Sequence, residues 1–157
     1  MTKEFYPEGF ICDTAQNRKR LNTPTDIAQL AATHEIAEST AFICDSDHNL
    51  IVDLGCMRGI IPRQEGALGI SEGQIRDIAL ISRVGKAVCF VVDKVQTDAT
   101  GKMYAMLSRR KAQEICRREF LTRLIPGDVI IARVTHLESF GAFCDIGCGI
   151  IALLPID

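Results

Sequence analysis

The chain has 157 residues, of which 47% are hydrophobic and 24% are charged, and its formal net charge is −2. This composition is typical of a globular protein with one or two small domains, and it excludes a chain that is disordered throughout. The uninterrupted apolar runs reach only six residues, whereas a membrane-spanning helix needs about 20. The sequence does not start with the apolar region of a secretory signal, so we expect a cytoplasmic protein without membrane contact.

The sequence contains seven cysteines, and we expect them to be reduced thiols. Zinc sites usually contain two close pairs of ligands, but here only Cys144 and Cys148 are near each other. We therefore expect no metal ion and no other cofactor. Cys144 is expected in a buried strand, and Cys148 is expected after a glycine turn.

Residues 1–22 show no clear periodicity and contain a basic run at 18–20. They predict a polar lead-in, in which the basic run forms a solvated arm or an arm that binds phosphate. Residues 23–35 predict a short helix, because Thr23 or Thr25 can cap it and Pro24 suits its first turn.

An alternation of apolar and polar residues then begins, which predicts β-strands separated by turns rich in Asp, Asn and Gly. The predicted strands cover residues 36–44, 50–54, 59–61, 86–97 and 102–108. Within residues 65–83, Ser71 and Gln74 fit a helix capping box, and residues 77–82 then alternate like a strand.

Residues 108–124 predict an amphipathic helix, because apolar side chains recur along one stripe. The stripe consists of Ala112, Ile115, Cys116, Phe120 and Leu124. Glu114 is four residues from Arg110 and from Arg118, which predicts two ion pairs along the helix. Residues 102–123 hold seven basic and two acidic side chains. This basic region is either an ordinary solvated face or a surface that contacts phosphates.

Three more strands are predicted after the helix, one at 129–138 and two within 139–157. Part of this region repeats an earlier one, because residues 50–62 align with residues 141–155. The alignment matches Asp53 with Asp145, Gly55 with Gly147, and Cys56 with Cys148. An internal repeat of this kind indicates one structural unit that is used twice.

The second copy resembles the opening of an S-one domain, the OB-fold RNA-binding repeat of the largest small-subunit ribosomal protein of bacteria. The resemblance is carried by Gly127 and Asp128 before the first strand, and by the letters SFGAF, DIG and LLPI that follow. Residues 85–110, which close with the pattern LS-R, are similar to the last two strands of such a domain.

The resemblance implies a mainly β fold with short helices, in which a five-stranded OB barrel precedes a helix and a partial second OB fold. The expected segments are a lead-in with a short helix at 1–33, a degenerate first OB fold at 34–109, a connecting helix at 110–125, and a truncated second OB fold at 126–157. Three strands alone leave open edges. We therefore expect the segment at hand to be disordered, domain-swapped or paired in a homodimer. The resemblance further implies that the second domain continues in a longer protein.

The RNA-binding positions of the family correspond in the second copy to Phe140 and Phe143. In such sites bases stack on outward aromatic rings, and basic side chains follow the phosphates. Strand alternation alone would separate the two rings, so we expect a kink at Gly141 to bring them onto one face. His136 and Arg133, on the preceding strand, are expected to flank the rings.

In the first copy the two ring positions are His48 and Ile51, so only His48 is left to stack on a base. The acidic and basic positions near the last hairpin are Asp98 and Lys102. The remaining basic residues expected at the site are Arg109 and Arg110. Phe42, on the first strand, is expected in the core.

These features predict a non-catalytic protein of translation or RNA metabolism that binds single-stranded RNA, with the ribosome as one expected partner. The alternative is a protein-docking module on the same fold, with the first copy as a scaffold. An enzyme is not expected, because the P-loop, G-x-S-x-G and H-E-x-x-H motifs are missing. Cys44 near His48 suggests a thiol–imidazole pair, but Cys44 is expected to pack into the barrel.

Overall fold

The computed structural model describes residues 5–156, which are mainly β with short helices. Two helices precede the first strand, α1 (Ala15–Arg20) and α2 (Pro24–Thr33). The Thr23 hydroxyl accepts a hydrogen bond from the Asp26 N–H, and the Asp26 carboxylate accepts one from the Thr23 N–H. This capping box confirms the predicted helix and identifies Thr23 as its cap.

Five strands form a closed barrel in the order β1-β2-β3-β5-β4, and β4 returns to pair with β1. Only β3 and β5 are parallel neighbours; the other pairs are antiparallel. This closed barrel is OB-like and confirms the predicted fold class. The strands agree with the predicted ones to within one residue at each end: β1 (Ala37–Cys44), β2 (Leu50–Asp53), β3 (Arg58–Ile61), β4 (Ala87–Thr97) and β5 (Met103–Ser108).

The barrel interior is apolar because alternate residues of each strand point inward. Its largest members are Leu50, Val52, Ile61, Val88, Phe90, Val92 and Leu107, all of them without exposed surface. Helix α2 packs on this core with Ile27 and Leu30. At Gly59 a side chain would overlap that of Leu107, so the core leaves room there for glycine only.

The prediction that Phe42 lies in the core is wrong, because its side chain is 37% exposed. The register between β1 and β2 shifts between Ala41 and Ile43, so Phe42 is the extra residue of a β-bulge. Ala41 points inward and Phe42 projects outward, where the Arg58 guanidinium lies over its ring, 5.6 Å from the centroid.

The segment between β3 and β4 adds no strand to the barrel. The strand predicted at 77–82 is wrong, because these residues include the short helix α3 (Ile78–Ile81). The capping box predicted at Ser71 and Gln74 is also wrong, since turns occupy this part of the chain. A sixth strand would have no edge to join in the closed barrel. The segment instead forms a small core of its own, from Ala67, Ile70 and Leu80.

Helix α4 (Arg109–Glu119) begins after Ser108, whose hydroxyl accepts a hydrogen bond from the Lys111 N–H at 3.0 Å. It packs against β4 through the predicted apolar stripe, of which Ala112, Cys116 and Phe120 are buried. The helix ends at Glu119, earlier than predicted, and a single 3-10 turn, Leu121–Arg123, follows.

The ion pairs predicted along α4 are wrong. Arg110 contacts Glu65, which lies beside the helix start and also accepts a hydrogen bond from Ser108. Glu114 pairs with Arg117 instead. Carboxylates also lie against the other basic residues of the helix, Arg109, Lys111 and Arg118. The helix is therefore largely neutralised, which favours a structural or solvated role over phosphate contacts.

A separate three-stranded antiparallel sheet follows, with the order β6-β7-β8. Its strands are β6 (Arg133–Glu138), β7 (Gly141–Asp145) and β8 (Ile151–Pro155). Strand β6 begins four residues later than predicted at 129. The structure therefore contains the partial second unit that the fold prediction specifies.

One face of this sheet is apolar and uncovered within residues 5–156. The register places Val134, Leu137, Ala142 and Leu154 on it. The three larger side chains are 56%, 71% and 66% exposed. In the first barrel, the equivalent face of β1–β3 is covered by β4 and β5. Pairing of the sheet with a second copy of the chain stays a prediction.

The segment before α1 is not the polar lead-in that was predicted. Phe5 and Glu8 are only 7% and 1% exposed. Phe5 belongs to a second apolar core. The other buried members are Cys89 and Val91 of β4, Ala112 and Cys116 of α4, Phe120 at the end of α4, and Cys148 after β7. Burial here depends on partners that lie far away in the sequence. Among the described residues, none of the helices has the length and apolar character needed to cross a bilayer.

Candidate nucleic-acid interface

Three rings meet on one face of the C-terminal sheet, namely those of Phe140, Phe143 and His136. The Phe140 and Phe143 centroids are 6.0 Å apart with perpendicular planes. The His136 ring lies 6.1 Å from Phe143 at an interplanar angle of 28°. His136 and Phe143 are direct partners across β6 and β7, which places them on the same face. We call these three residues the ring cluster.

Phe140 reaches the ring cluster because it lies in the turn before β7 rather than in the strand. Residues i and i+3 of a strand point to opposite faces, but this rule does not apply to Phe140 because Phe140 lies outside the strand. Gly141 allows this turn to approach the neighbouring strand, since a Cβ there would overlap the Leu154 carbonyl oxygen. The structure thus brings the two rings together at the glycine that the sequence singled out.

The ring cluster is open to solvent at both ends. The Phe140 ring is 53% exposed and the His136 side chain 61% exposed, whereas Phe143 is half-buried between them. The His136 Nε2 lies 2.6 Å from the Glu138 carboxylate. Exposed rings of this kind offer π-faces on which unstacked bases can stack.

Arg133 does not flank the ring cluster. Its guanidinium donates a hydrogen bond to the Glu8 carbonyl at 2.7 Å and lies 3.6 Å from the Asp145 carboxylate. It also lies over the Phe10 ring, 5.9 Å from the centroid. Arg133 therefore contacts the N-terminal segment and not the ring cluster, with which the sequence analysis grouped it.

A groove of about 1150 Å³ runs over the outer surface of the first barrel. Phe42 of β1, Arg58 and Ile60 of β3, and Tyr104 of β5 line its floor and walls, with Lys102 at the loop between β4 and β5. In OB folds, oligonucleotides bind to the face of strands 2 and 3 and to the adjoining loops. We call this feature the barrel groove.

The barrel groove combines aromatic and cationic side chains. The Tyr104 hydroxyl donates a hydrogen bond to the Gln96 side chain at 2.9 Å, which fixes its ring. Neither Arg58 nor Lys102 forms a salt bridge with another residue of the described range. The barrel groove thus offers two cations without salt bridges to an anionic ligand such as a phosphate, beside the carboxylates of Asp53 and Asp98 that line the same groove.

Asp98 shapes the loop that carries Lys102. Its carboxylate accepts hydrogen bonds from the Thr100 hydroxyl at 2.6 Å, the Thr100 N–H at 2.8 Å and the Lys102 N–H at 2.9 Å. The Thr100 hydroxyl, followed by the Lys102 N–H, lowers the pKa of this carboxyl group. Asp98 thus holds the loop backbone, and both Asp98 and Lys102 line the barrel groove.

The other three residues predicted for the first copy lie elsewhere and are engaged by carboxylates. The His48 ring contacts Asp77, which also receives two hydrogen bonds from Arg63 at 2.7 and 2.8 Å. Arg109 is 5% exposed and donates two hydrogen bonds to Glu8. Arg110 donates two to Glu65, at 2.8 and 3.2 Å. These three side chains do not join Asp98 and Lys102.

Three residues of the barrel groove were not predicted as site residues, namely Tyr104, Arg58 and Phe42. Tyr104 alternates with the buried Ala105 and Leu107, a pattern that indicates an outward side chain. Arg58 directly precedes a predicted strand. Phe42 follows the small inward residue Ala41, but its apolar character led to its placement in the core.

The two residues that suggested enzyme chemistry, Cys44 and His48, have separate contacts, since the His48 ring contacts Asp77. Cys44 packs against the barrel core, and burial, followed by the charges of Asp45 and Asp77, raises the pKa of its thiol. A thiol nucleophile needs the opposite shift. Cys144 and Cys148 are both buried, Cys144 in β7 and Cys148 in the turn beyond, as predicted. Across residues 5–156 there is no cluster of three His, Cys, Asp or Glu side chains that could hold a metal ion.

Comparison of the chain with protein-family models and with curated proteins finds no match.

Proposed function

We propose that this protein binds single-stranded RNA, as a non-catalytic component of translation or RNA metabolism, with the ribosome as one partner to test. The observation that carries the proposal is the ring cluster, in which Phe140, Phe143 and His136 meet on an open face of the C-terminal sheet. The resemblance to an S-one domain rests on two of the same residues. The barrel groove adds a second aromatic and cationic surface on the OB-like barrel.

The test is equilibrium binding of a labelled single-stranded RNA to the variant Phe140→Ala/Phe143→Ala. Stacking contributes about 1–3 kcal/mol per base, so the double variant should bind at least tenfold more weakly. The matched control is Ile78→Ala/Ile125→Ala, which removes two exposed apolar side chains that lie outside both the ring cluster and the C-terminal sheet. Equal affinities of the double variant and the wild type would contradict stacking on the ring cluster.

A second proposal is a protein-docking module with the first barrel as its scaffold. The uncovered apolar face of Val134, Leu137 and Leu154 favours it, because such faces usually mark protein contacts. The occupant we propose is a second copy of the chain, which would present the same uncharged face. Sedimentation of the wild type and of Leu137→Thr/Leu154→Thr tests this: a dimer lost in the variant supports it, and a monomeric wild type contradicts it.

A further inference from the structure

Residues 5–13, which we call the N-terminal strap, lie between the first barrel and the C-terminal sheet. At their centre is Glu8, whose side chain is completely buried. The Glu8 carboxylate contacts the first barrel and helix α4, whereas the Glu8 backbone contacts the C-terminal sheet. These two sets of contacts carry the inference.

The Glu8 carboxylate binds to the first barrel and helix α4. It accepts two hydrogen bonds from the Arg109 guanidinium, both at 2.7 Å, and one from the Cys89 N–H of β4 at 2.8 Å. Arg83 lies 3.3 Å away. Burial opposes ionisation, but the two guanidiniums outweigh it and lower the pKa of Glu8 to about 2. The carboxylate is therefore charged and fully engaged on this side.

The backbone around Glu8 binds to the C-terminal sheet. The Glu8 N–H donates to the Asp145 carboxylate at 2.9 Å, and the Glu8 carbonyl accepts from Arg133 at 2.7 Å. The Tyr6 carbonyl accepts from the Cys148 N–H at 3.0 Å. These partners lie at both ends of the region that spans β6, β7 and the turn after β7.

Asp145 also forms hydrogen bonds with the turn after β7. Its second carboxylate oxygen accepts hydrogen bonds from the Gly147 and Gly149 N–H groups at 3.0 and 3.1 Å. The turn also contacts the first unit directly, since the Cys148 carbonyl accepts from the Gln113 side chain at 3.0 Å. The apolar core that contains Phe5 lies behind these polar contacts.

We infer that the N-terminal strap, through Glu8, fixes the C-terminal sheet to the first barrel. The sheet and the barrel therefore unfold together, in one cooperative step. The inference goes beyond the proposed function and holds whatever ligand the protein binds. Because the strap holds the barrel and the sheet together, any ligand meets the barrel groove and the ring cluster at a fixed spacing.

The first test is amide hydrogen exchange of the full chain carrying Glu8→Gln. Loss of the charge leaves Arg109 buried without its partner, which is strongly destabilising at such sites. In the wild type, the slowest amides of residues 141–150 and those of Val92 and Leu107 in the barrel should share one opening free energy. In Glu8→Gln the amides of residues 141–150 should exchange faster by about a hundredfold or more, and by a larger factor than those of Val92 and Leu107. The matched control is Asp13→Asn, which makes the same chemical change at a carboxylate that is 93% exposed; its exchange should equal that of the wild type.

A second variant, Arg133→Met, keeps the Glu8–Arg109 pair and decides the question if Glu8→Gln does not fold. It removes the hydrogen bond to the Glu8 carbonyl together with the Arg133 contacts to Asp145 and to the Phe10 ring. We expect exchange in residues 133–150 to accelerate on the order of tenfold, with the Cys89 amide unchanged. Exchange within twofold of the wild type in residues 133–150, or equal acceleration in the sheet and the barrel, would overturn the inference.

Discussion

The Glu8 carboxylate and the Arg109 guanidinium, which are 101 positions apart in the sequence, form a bidentate ion pair with two N–O distances of 2.7 Å. Both side chains are buried. Burial opposes the charge on Arg109, but Glu8 outweighs it and raises the Arg109 pKa. The pair is therefore ionised in the folded protein and makes its stability depend on pH.

We predict that acid destabilises the protein through Glu8. Its pKa is about 2 in the folded chain, against an ordinary value of 4.5. The folded state therefore binds fewer protons than the unfolded state, so this contribution is complete above pH 4.5 and is lost as the pH falls towards 2. It amounts to roughly 3 kcal/mol. Glu38 acts in the opposite direction, because burial raises its pKa and protonation favours its folded form.

The measurement is the free energy of unfolding of the wild type and of Glu8→Gln at pH 7 and at pH 3. Removing one partner of a buried pair should cost about 3–5 kcal/mol at pH 7. The difference between the two proteins should shrink at pH 3, because the unfolded wild type is protonated at Glu8 at that pH whereas the folded form still carries the charge. A difference of equal size at both pH values would contradict the lowered pKa.

Phe42 and Phe90 are predicted to have opposite roles. The Phe42 ring projects into the barrel groove, so Phe42→Ala should weaken RNA binding by about 1–3 kcal/mol with little change in stability. The Phe90 ring has no exposed surface, so Phe90→Ala should cost about 3–5 kcal/mol of unfolding free energy. Binding titrations and urea unfolding of both variants separate the two effects. Unchanged RNA affinity of Phe42→Ala would remove the barrel groove from the interface.

The salt dependence of RNA binding should be shallow. Arg58 and Lys102 are the two cations of the barrel groove without a salt bridge in the described part of the chain. Each phosphate contact to a single strand contributes a slope of about −0.7 in log K against log salt, so the two should give about −1.4. Arg58→Gln/Lys102→Gln should lower that slope towards zero. The control, Arg117→Gln, alters a cation already paired with Glu114 and should leave the slope unchanged.

Local patterns predicted much of the fold. Alternation specified the five barrel strands to within one residue, and the start of α2 was predicted with Thr23 or Thr25 as its cap, of which the structure has Thr23. Phe140 and Phe143 share a face, as predicted. The predictions failed where burial and ion pairing depend on residues that are far apart in the sequence. Glu8 is buried by Arg109 and Asp145, and Arg110 is drawn to Glu65, partners that a local window cannot show.

The strand predicted at 77–82 failed for a different reason. Its alternation is genuine, but the barrel closes through the pairing of β3 with β5, so no edge is left for it. Phe42 was misplaced because a bulge, and not composition, decides where its ring points. Strand periodicity thus predicts which segments extend, whereas closure and bulges determine which side chains reach the surface.

The measurement that tests the central claim most directly is fluorescence anisotropy of a labelled single-stranded RNA of about 12 nucleotides, titrated with this chain at two salt concentrations. The RNA-binding account predicts saturable binding that weakens modestly at the higher salt concentration and is weakened at least tenfold in Phe140→Ala/Phe143→Ala. No binding of the wild-type chain at the lower salt concentration would contradict it.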